Sequence, residues 1–365
     1  MLREVNLLVI LAGLMIGPLL FSWRWAAVSL ANLSVKRRLP SSSAAGDPLI
    51  VEYELTNHRR RLTSYAVVVS DTLHRMEPRA ADPPAIAQAM VPAARPESSA
   101  TTSCRYLITR RGRYTFGPLR VSTRFPLGLV MSSEPLDVTD TLTVCPRIGR
   151  LTRKWEQWID ADRAGSQRNS PRRGLTEGEY YGLREWRAGD SQRWIHWRTS
   201  ARLNELAVRQ FEEQRNGDVA ILLDLWLPEH PTDGALGNVE VAVSLAATAV
   251  VDLSRRGNNR LTVAVHATQR EQWSAPASTA FCQDILERLA VVSGSAEDRL
   301  SESLAGVLRE TPPGTRLIVF STRTVDIDRM LSEVETAAGH SQVALGRAVW
   351  IDVTRDDLPS LFVLE

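Results

Sequence analysis

The sequence predicts a chain of three parts: an N-terminal transmembrane helix, an all-β sandwich and a C-terminal doubly wound α/β domain. Three observations predict it. Nineteen residues between Glu4 and Arg24 carry no ionisable side chain. Short alternating runs with turn signals between them then continue to about residue 150 without a helical pattern. From Asp218 onward, continuous apolar runs alternate with helical stretches. A length of 365 residues suits more than one domain. With 44% hydrophobic and 24% charged residues, the composition is that of a globular chain. The 44 basic and 42 acidic residues leave a net charge of +2, so no basic field recruits nucleic acid, and no nucleic-acid partner is expected. Every basic residue except Lys36 and Lys154 is arginine, a bias that codon usage explains better than a binding surface does.

The first element spans residues 5–23. A helix of that length is about 28 Å long, close to the roughly 30 Å of a bilayer's hydrocarbon core. Trp23 and Trp25 stand at its far end, where indoles favour the headgroup zone. Arg3 precedes it, whereas Arg24, Lys36, Arg37 and Arg38 follow. This imbalance predicts a single pass through the cytoplasmic membrane, with the large C-terminal part in the cytoplasm. A cleaved signal peptide is the alternative. Its small-x-small site would have to be Ser29-Leu30-Ala31, distant from the apolar run and beyond Arg24. Val241 to Val251 is uncharged but only eleven residues long, which reads as a buried helix.

Residues 33–150 form the predicted sandwich. Its strands include 49–55, 64–70, 103–109, 119–123 and 141–145, with a short one at 113–116 between Gly112 and Gly117. The Pro- and Ala-rich stretch 75–100 is expected to be an irregular excursion. Cys104, Cys145 and Cys282 are an odd number without CxxC pairing, which argues against a disulfide scaffold or a Cys-rich zinc site.

Residues 151–217 connect the two domains and hold five of the ten tryptophans. Residues 161–176 are polar and read as a mobile loop. Gly189-Asp190 reads as a helix start, with Asp190 capping the free amides. On that helix Trp194, Trp197 and Ala201 would share an apolar face, with Arg193, His196 and Ser200 on the adjacent polar one. Residues 206–212 read as a strand leading into the α/β sheet of the last domain, 218–365. There, strands at 218–225, 260–266, 315–322 and 345–352 alternate with helices at 239–255, 277–292, 297–310 and 325–338.

The run Leu183-Arg-Glu-Trp-Arg-Ala-Gly-Asp190, continued by Arg193, Ile195, Trp197, Ser200-Ala-Arg202, Leu206 and Val208-Arg209, resembles the signature of the family called domain of unknown function 58. Arg110 to Leu119, Phe125 to Leu129 and Asn32 to Pro40 resemble its β-domain motifs. The resemblance implies a membrane-anchored protein whose C-terminal domain is von Willebrand factor A-like (Rossmann-like). It also implies company: such proteins are often encoded beside MoxR-type AAA+ ATPases and transglutaminase-like proteins. The expected function is therefore a non-enzymatic scaffold or adaptor, partnered by a MoxR-type AAA+ ATPase and by the bilayer, in assembly or maturation of envelope-associated proteins.

One departure matters. Metal-binding von Willebrand factor A domains place Asp-x-Ser-x-Ser at the end of the first strand, and the matching residues here are Asp224-Leu-Trp-Leu-Pro228. Trp226 and Pro228 replace both hydroxyls, so no metal and no other cofactor is expected. A binding crevice is expected near Asp224 and Trp226, beyond the strand C-termini. Arg184, Glu185, Asp190, Arg193, Arg202 and Glu212, with Trp197 and Ser200, are read as a buried, mutually paired ion network or a docking motif. The competing readings are a hydrolase or transferase using Asp190, Arg193, His196 and Arg202, and an extracytoplasmic adhesion module. A mid-helix Ser200 lacks the sharp turn and oxyanion donors of a serine nucleophile.

Overall fold

The computed structural model describes residues 2–76, 84–157, 173–174, 180–187, 195–203, 205–212, 218–257, 259–266, 270–312, 315–327, 329–330 and 348–364. The chain divides into two compact units, Met1–Arg147 and Ile148–Glu365.

The first unit opens with helix α1 (Leu2–Leu30). Strands β1 (Leu33–Arg38), β2 (Ser43–Ala44), β3 (Pro48–Asn57), β4 (Ser64–Arg75), β5 (Ala85–Ala94), β6 (Ser98–Leu107), β7 (Gly112–Phe116), β8 (Leu119–Thr123), β9 (Ser132–Leu136) and β10 (Asp140–Cys145) follow. They form a three-stranded sheet, β1-β3-β6, and a seven-stranded sheet, β2-β10-β7-β4-β8-β9, with β5 also paired to β4. Alternation explains the inward faces. In β1, Leu33, Val35 and Arg37 are buried, and the residues between them are exposed. Leu49, Val51, Tyr53 and Leu55 of one sheet share an apolar cluster with Val67, Val69, Phe116 and Val121 of the other. The stretch expected to be irregular contains β5 instead. Ala87, Ala89 and Val91 point inward there, and side chains that small hide the period-two signal.

α1 has two regions. Leu7, Leu11, Leu14, Met15, Leu20 and Trp23 are among its large apolar side chains left exposed, whereas Ser22, Ala26, Ser29 and Leu30 are buried. Those four recur at helical spacing and form the face that packs on the sheet. The span Val9–Leu30 is long and apolar enough to cross a membrane.

The second unit carries β11 (Arg150–Leu151), β12 (Arg173–Gly174), β13 (Tyr180–Glu185), α2 (Trp197–Leu203), β14 (Ala207–Glu212), β15 (Val219–Asp224), α3 (Asp233–Arg256), β16 (Arg260–His266), β17 (Arg270–Pro276), α4 (Thr279–Val291), α5 (Leu300–Glu310), β18 (Arg316–Ser321), β19 (Val349–Asp352) and β20 (Phe362–Val363). Its main sheet runs β17-β16-β15-β18-β19, parallel except for β17, which is antiparallel to β16. All six residues of β15 are buried, as a strand covered on both faces requires. α3 also has the length and hydropathy of a membrane span, yet residues from Val239 to Leu253 bury in the unit's core. Thr232 caps it by accepting from the Ala235 amide, and Gly257 ends it at φ 61°. Trp155 is buried, stacks on Phe320 with ring centroids 6.4 Å apart, and donates to Asp252 Oδ2 at 3.2 Å. The three cysteines are free thiols.

Two expectations change. β14 does not extend the five-stranded sheet; it pairs antiparallel with β13 and β12 in a sheet of its own. The five-stranded sheet also gains an edge strand, β17, whose polar sequence Arg270-Glu-Gln-Trp-Ser-Ala-Pro276 carries no apolar run to mark it. The helix expected at 325–338 lies mostly outside the described residues.

Candidate functional site

The signature segment is built on the β13–β14 hairpin. Arg184 pairs with Val208 and Glu185 with Ala207 in the ladder, and the Trp186 amide donates to Leu206 O at 2.7 Å. Ile195 makes an isolated bridge to the same Val208, and the His196 amide donates to Ala207 O at 2.8 Å. The chain is therefore extended at Ile195 and His196, and α2 begins only at Trp197. This corrects the longer helix expected from Asp190. Its faces are corrected too. Trp197 is exposed at 65%, whereas Ser200 is buried. The Ser200 hydroxyl accepts the Ala207 amide at 2.9 Å and donates to His196 O at 3.1 Å, so this polar residue turns inward to tie the helix to β14.

These contacts bear on the catalytic reading. Ser200 Oγ is engaged by backbone rather than by an imidazole, and His196 Nδ1 accepts the Thr199 amide at 3.3 Å. Glu185 and Arg202 are exposed, so the burial expected of the motif does not extend to them. Asp190 and Arg193 lie outside the described residues, as do the side chains of Arg184 and Glu212.

A second constellation lies where Asp224 and Trp226 were singled out. β15 neighbours β16 on one side and β18 on the other, so the strand order reverses at β15 and β18, the usual place for a crevice in an open α/β sheet. Asp224 ends β15 and Ser321 ends β18, directly paired in register. Asp224 is fully buried. Its Oδ2 accepts from the Ser321 hydroxyl at 2.8 Å and from Arg323 Nε at 3.2 Å. Arg323 Nη1 and Nη2 donate to Asp298 Oδ2 and Oδ1 at 2.8 and 2.5 Å, a bidentate clamp. The guanidinium lies 5.2 Å from the centroid of the Trp226 ring. Trp226 is held in turn by Thr322, whose hydroxyl donates to Trp226 O at 2.6 Å, and by a bridge to Ser295. Gly294 permits that bridge: a Cβ there would stand 2.8 Å from Leu225 O. Beside the clamp a small cleft opens, lined by Ser321, Arg323, Val325, Trp350, Asp352 and Arg355.

The donor set does not suit a divalent ion. The Arg323 cation already sits on Asp224 Oδ2, and the Trp226 side chain beside it offers no oxygen ligand. Asp224 Oδ1 is buried without a hydrogen-bond partner among the described residues. No group of three or more His, Cys, Asp or Glu side chains with metal-binding arrangement occurs among them either.

Electrostatics follow the clamp. Burial opposes the Arg323 charge, but the hydrogen bond to Asp298 and the attraction of Asp224 and Asp298 outweigh it and raise its pKa. The hydrogen bond from Arg323 holds Asp298 below the ordinary carboxylate range, against partial burial. A depressed carboxylate pKa contributes stability above its unfolded value, about 3.9, and loses it as pH falls through the folded value. Asp298 is 61% exposed, so solvent screening makes that contribution small. In a carbon-detected NMR titration Asp298 should therefore titrate below that reference. Arg323→Gln should move its midpoint upward; an unchanged midpoint would mean that the clamp does not persist in solution.

Sequence reading missed Arg323, Asp298 and Ser321. A signal was present, because Ser321-Thr322-Arg323 follows one apolar strand as Asp224 follows another.

Residues 182–302 match the family described as "Protein of unknown function DUF58". The chain is also 29% identical over 126 residues to the uncharacterized protein YeaD of Bacillus subtilis (strain 168), covering 34% of this chain and 31% of that protein. It thus spans about a third of the length of that relative. Among solved structures, a superoxide reductase (neelaredoxin) from Ignicoccus hospitalis aligns over 32% of this chain and 86% of its own, at 11% identity and a TM-score of 0.21. The putative ApaA protein from Bordetella pertussis aligns over 31% and 91%, at 12% identity and a TM-score of 0.22. Likeness at that level carries no argument about fold or function.

Proposed function

We propose that this protein is a non-enzymatic scaffold, fastened to the cytoplasmic membrane by α1 with both units in the cytoplasm, and that its partner is a MoxR-type AAA+ ATPase. The first unit is read as a β-sandwich and the second as a von Willebrand factor A-like domain with partner docking at the Asp224–Trp226 crevice. The observation that carries the reading is the internal neutralisation of that crevice. Arg323 supplies the positive charge that a bound cation would otherwise bring, which leaves Trp226 and the adjoining cleft for protein contact. The match of residues 182–302 supports the family; the ATPase partnership rests on the resemblance. The flanking charges of α1 support the orientation.

The test is binding between the full chain in lipid nanodiscs and the MoxR-type ATPase of the same genome. Saturable binding is expected, and Trp226→Ala should weaken it about tenfold, the order of one lost aromatic anchor, with the melting temperature of the second unit unchanged. Absence of binding, or turnover of a small substrate that depends on His196, would defeat the reading.

A further inference from the structure

We infer that the end of the first unit beside α1 is itself a membrane-contact surface, formed by the β8–β9 loop and the arginine-rich β3–β4 loop, and that it lies against an anionic lipid headgroup layer. The inference rests on α1 being a membrane helix and adds a second point of contact to it.

Four contacts bring these loops to the helix end. Ser64 Oγ donates to Ser29 O at 2.9 Å and Arg59 Nη1 to Val28 O at 2.7 Å, so the β3–β4 loop and the start of β4 meet the last turn of α1. Thr123 Oγ1 donates to Tyr65 O at 3.0 Å, and the Tyr65 and Phe125 rings lie 4.9 Å apart, which brings the β8–β9 loop to the same place.

The chemistry of that end is amphipathic. Leu127, Leu129 and Met131 are exposed at 52, 54 and 57% on one loop of eight residues, far from the scattered single exposures normal for a soluble surface. Leu62 is exposed on the neighbouring loop, where Arg60 and Arg61 are exposed as well. Arg124 begins the apolar loop and is exposed too. On the helix, Phe21, Trp23 and Trp25 remain exposed on the side away from the packed Ser22 and Ala26, where indoles suit the headgroup boundary. Apolar side chains backed by arginines suit insertion at an anionic leaflet: the side chains enter the acyl boundary and each arginine near the surface adds attraction. A helix tied to the unit only at its last turns would allow the unit to swing; a second contact fixes its height and rotation.

The opposite end of the unit supplies the control. Pro48 begins β3 and pairs with Leu107, a ten-residue strand away from Asn57, which is about 30 Å. Leu107 is exposed at 69%.

The test places a fluorescent amino acid at position 14, 129 or 107 of the full chain in nanodiscs containing phosphatidylglycerol, with bromine-labelled acyl chains as quencher. Quenching of roughly twofold is expected at positions 14 and 129 and none at 107, as for residues within and outside the acyl boundary. Quenching at 14 alone would overturn the inference and leave the tether standing. Quenching at neither would overturn both, and equal quenching at all three would overturn the inference as well, since no one end would then face the lipid. A blue-shifted but unquenched label at 129 would mean that protein covers the loop, which also overturns the inference. With Arg60→Gln and Arg61→Gln combined, quenching at 129 should lose its dependence on phosphatidylglycerol; unchanged dependence would contradict the arginines' part.

Discussion

Arg37→Ala is expected to destabilise the first unit by about 3–5 kcal/mol, the cost of leaving a buried charge without its partner. The Arg37 side chain is fully buried and Asp71 nearly so. Arg37 Nε and Nη2 donate to the two Asp71 oxygens at 2.8 and 2.9 Å, and Nη1 donates to Asp140 Oδ2 at 2.5 Å. Tyr53 adds its hydroxyl to Asp71 Oδ2 at 2.8 Å, with the Tyr106 hydroxyl 3.1 Å from that of Tyr53. Arg37, Tyr53 and Tyr106 belong to the three-stranded sheet, whereas Asp71 and Asp140 belong to the seven-stranded one. The network therefore bridges two layers that apolar contact alone would let slide. Burial opposes the Arg37 charge, yet Asp71 and then Asp140 outweigh it and raise its pKa; burial also raises those of both tyrosines. Removing the cation leaves Asp71 with Tyr53 alone. The loss should appear in thermal unfolding as a drop of about 10–20 °C for a unit of this size, with hydrogen exchange in β1 and β4 identifying the unit affected. Arg37→Met combined with Asp71→Leu should recover much of that loss, because a packed apolar pair can replace a buried ion pair at little cost. A single variant as stable as the parent would mean that the charges are already hydrated.

Arg323→Ala should cost the second unit about 2–4 kcal/mol, somewhat less than a fully enclosed pair because the guanidinium is 19% exposed. Asp224 would keep only the Ser321 hydroxyl for a charge that is wholly buried. Asp224→Asn should be milder, about 1 kcal/mol, since the amide can still accept from Ser321 while Arg323 retains Asp298. That ordering separates a cation serving Asp224 from a surface pair between Arg323 and Asp298. Equal costs for the two variants, measured by urea unfolding, would contradict the assignment of Arg323 as the counter-ion of Asp224.

Much of this was legible in the residues. Continuous apolar runs gave β15, β16 and β18, because a strand covered on both faces has no polar side to disguise it. Alternation gave β3 and β4, but β1 went unread and Arg37 was counted only as a charge flanking the helix; nothing local named Asp71, thirty-four residues away, as its partner. β5 stayed hidden because alanines carry too little contrast between faces. The helical faces drawn through Trp197 and Ser200 failed for a different reason. Backbone pairing of Ile195 and His196 with β14 overrides the helical spacing, and the Ser200 hydroxyl is worth burying where it satisfies the Ala207 amide. The crevice was legible by half. Asp224 and Trp226 follow from strand ends, but the charge that closes the site comes from Arg323, which only parallel pairing of β15 with β18 brings near.

The scaffold reading requires every residue after α1 to face the cytoplasm, and reporters fused after Glu365 measure that directly. A fluorescent protein that matures in the cytoplasm should be bright there, and alkaline phosphatase, active only after export, should be silent. Active phosphatase with a dark fluorescent fusion would put both units outside, beyond reach of any cytoplasmic ATPase.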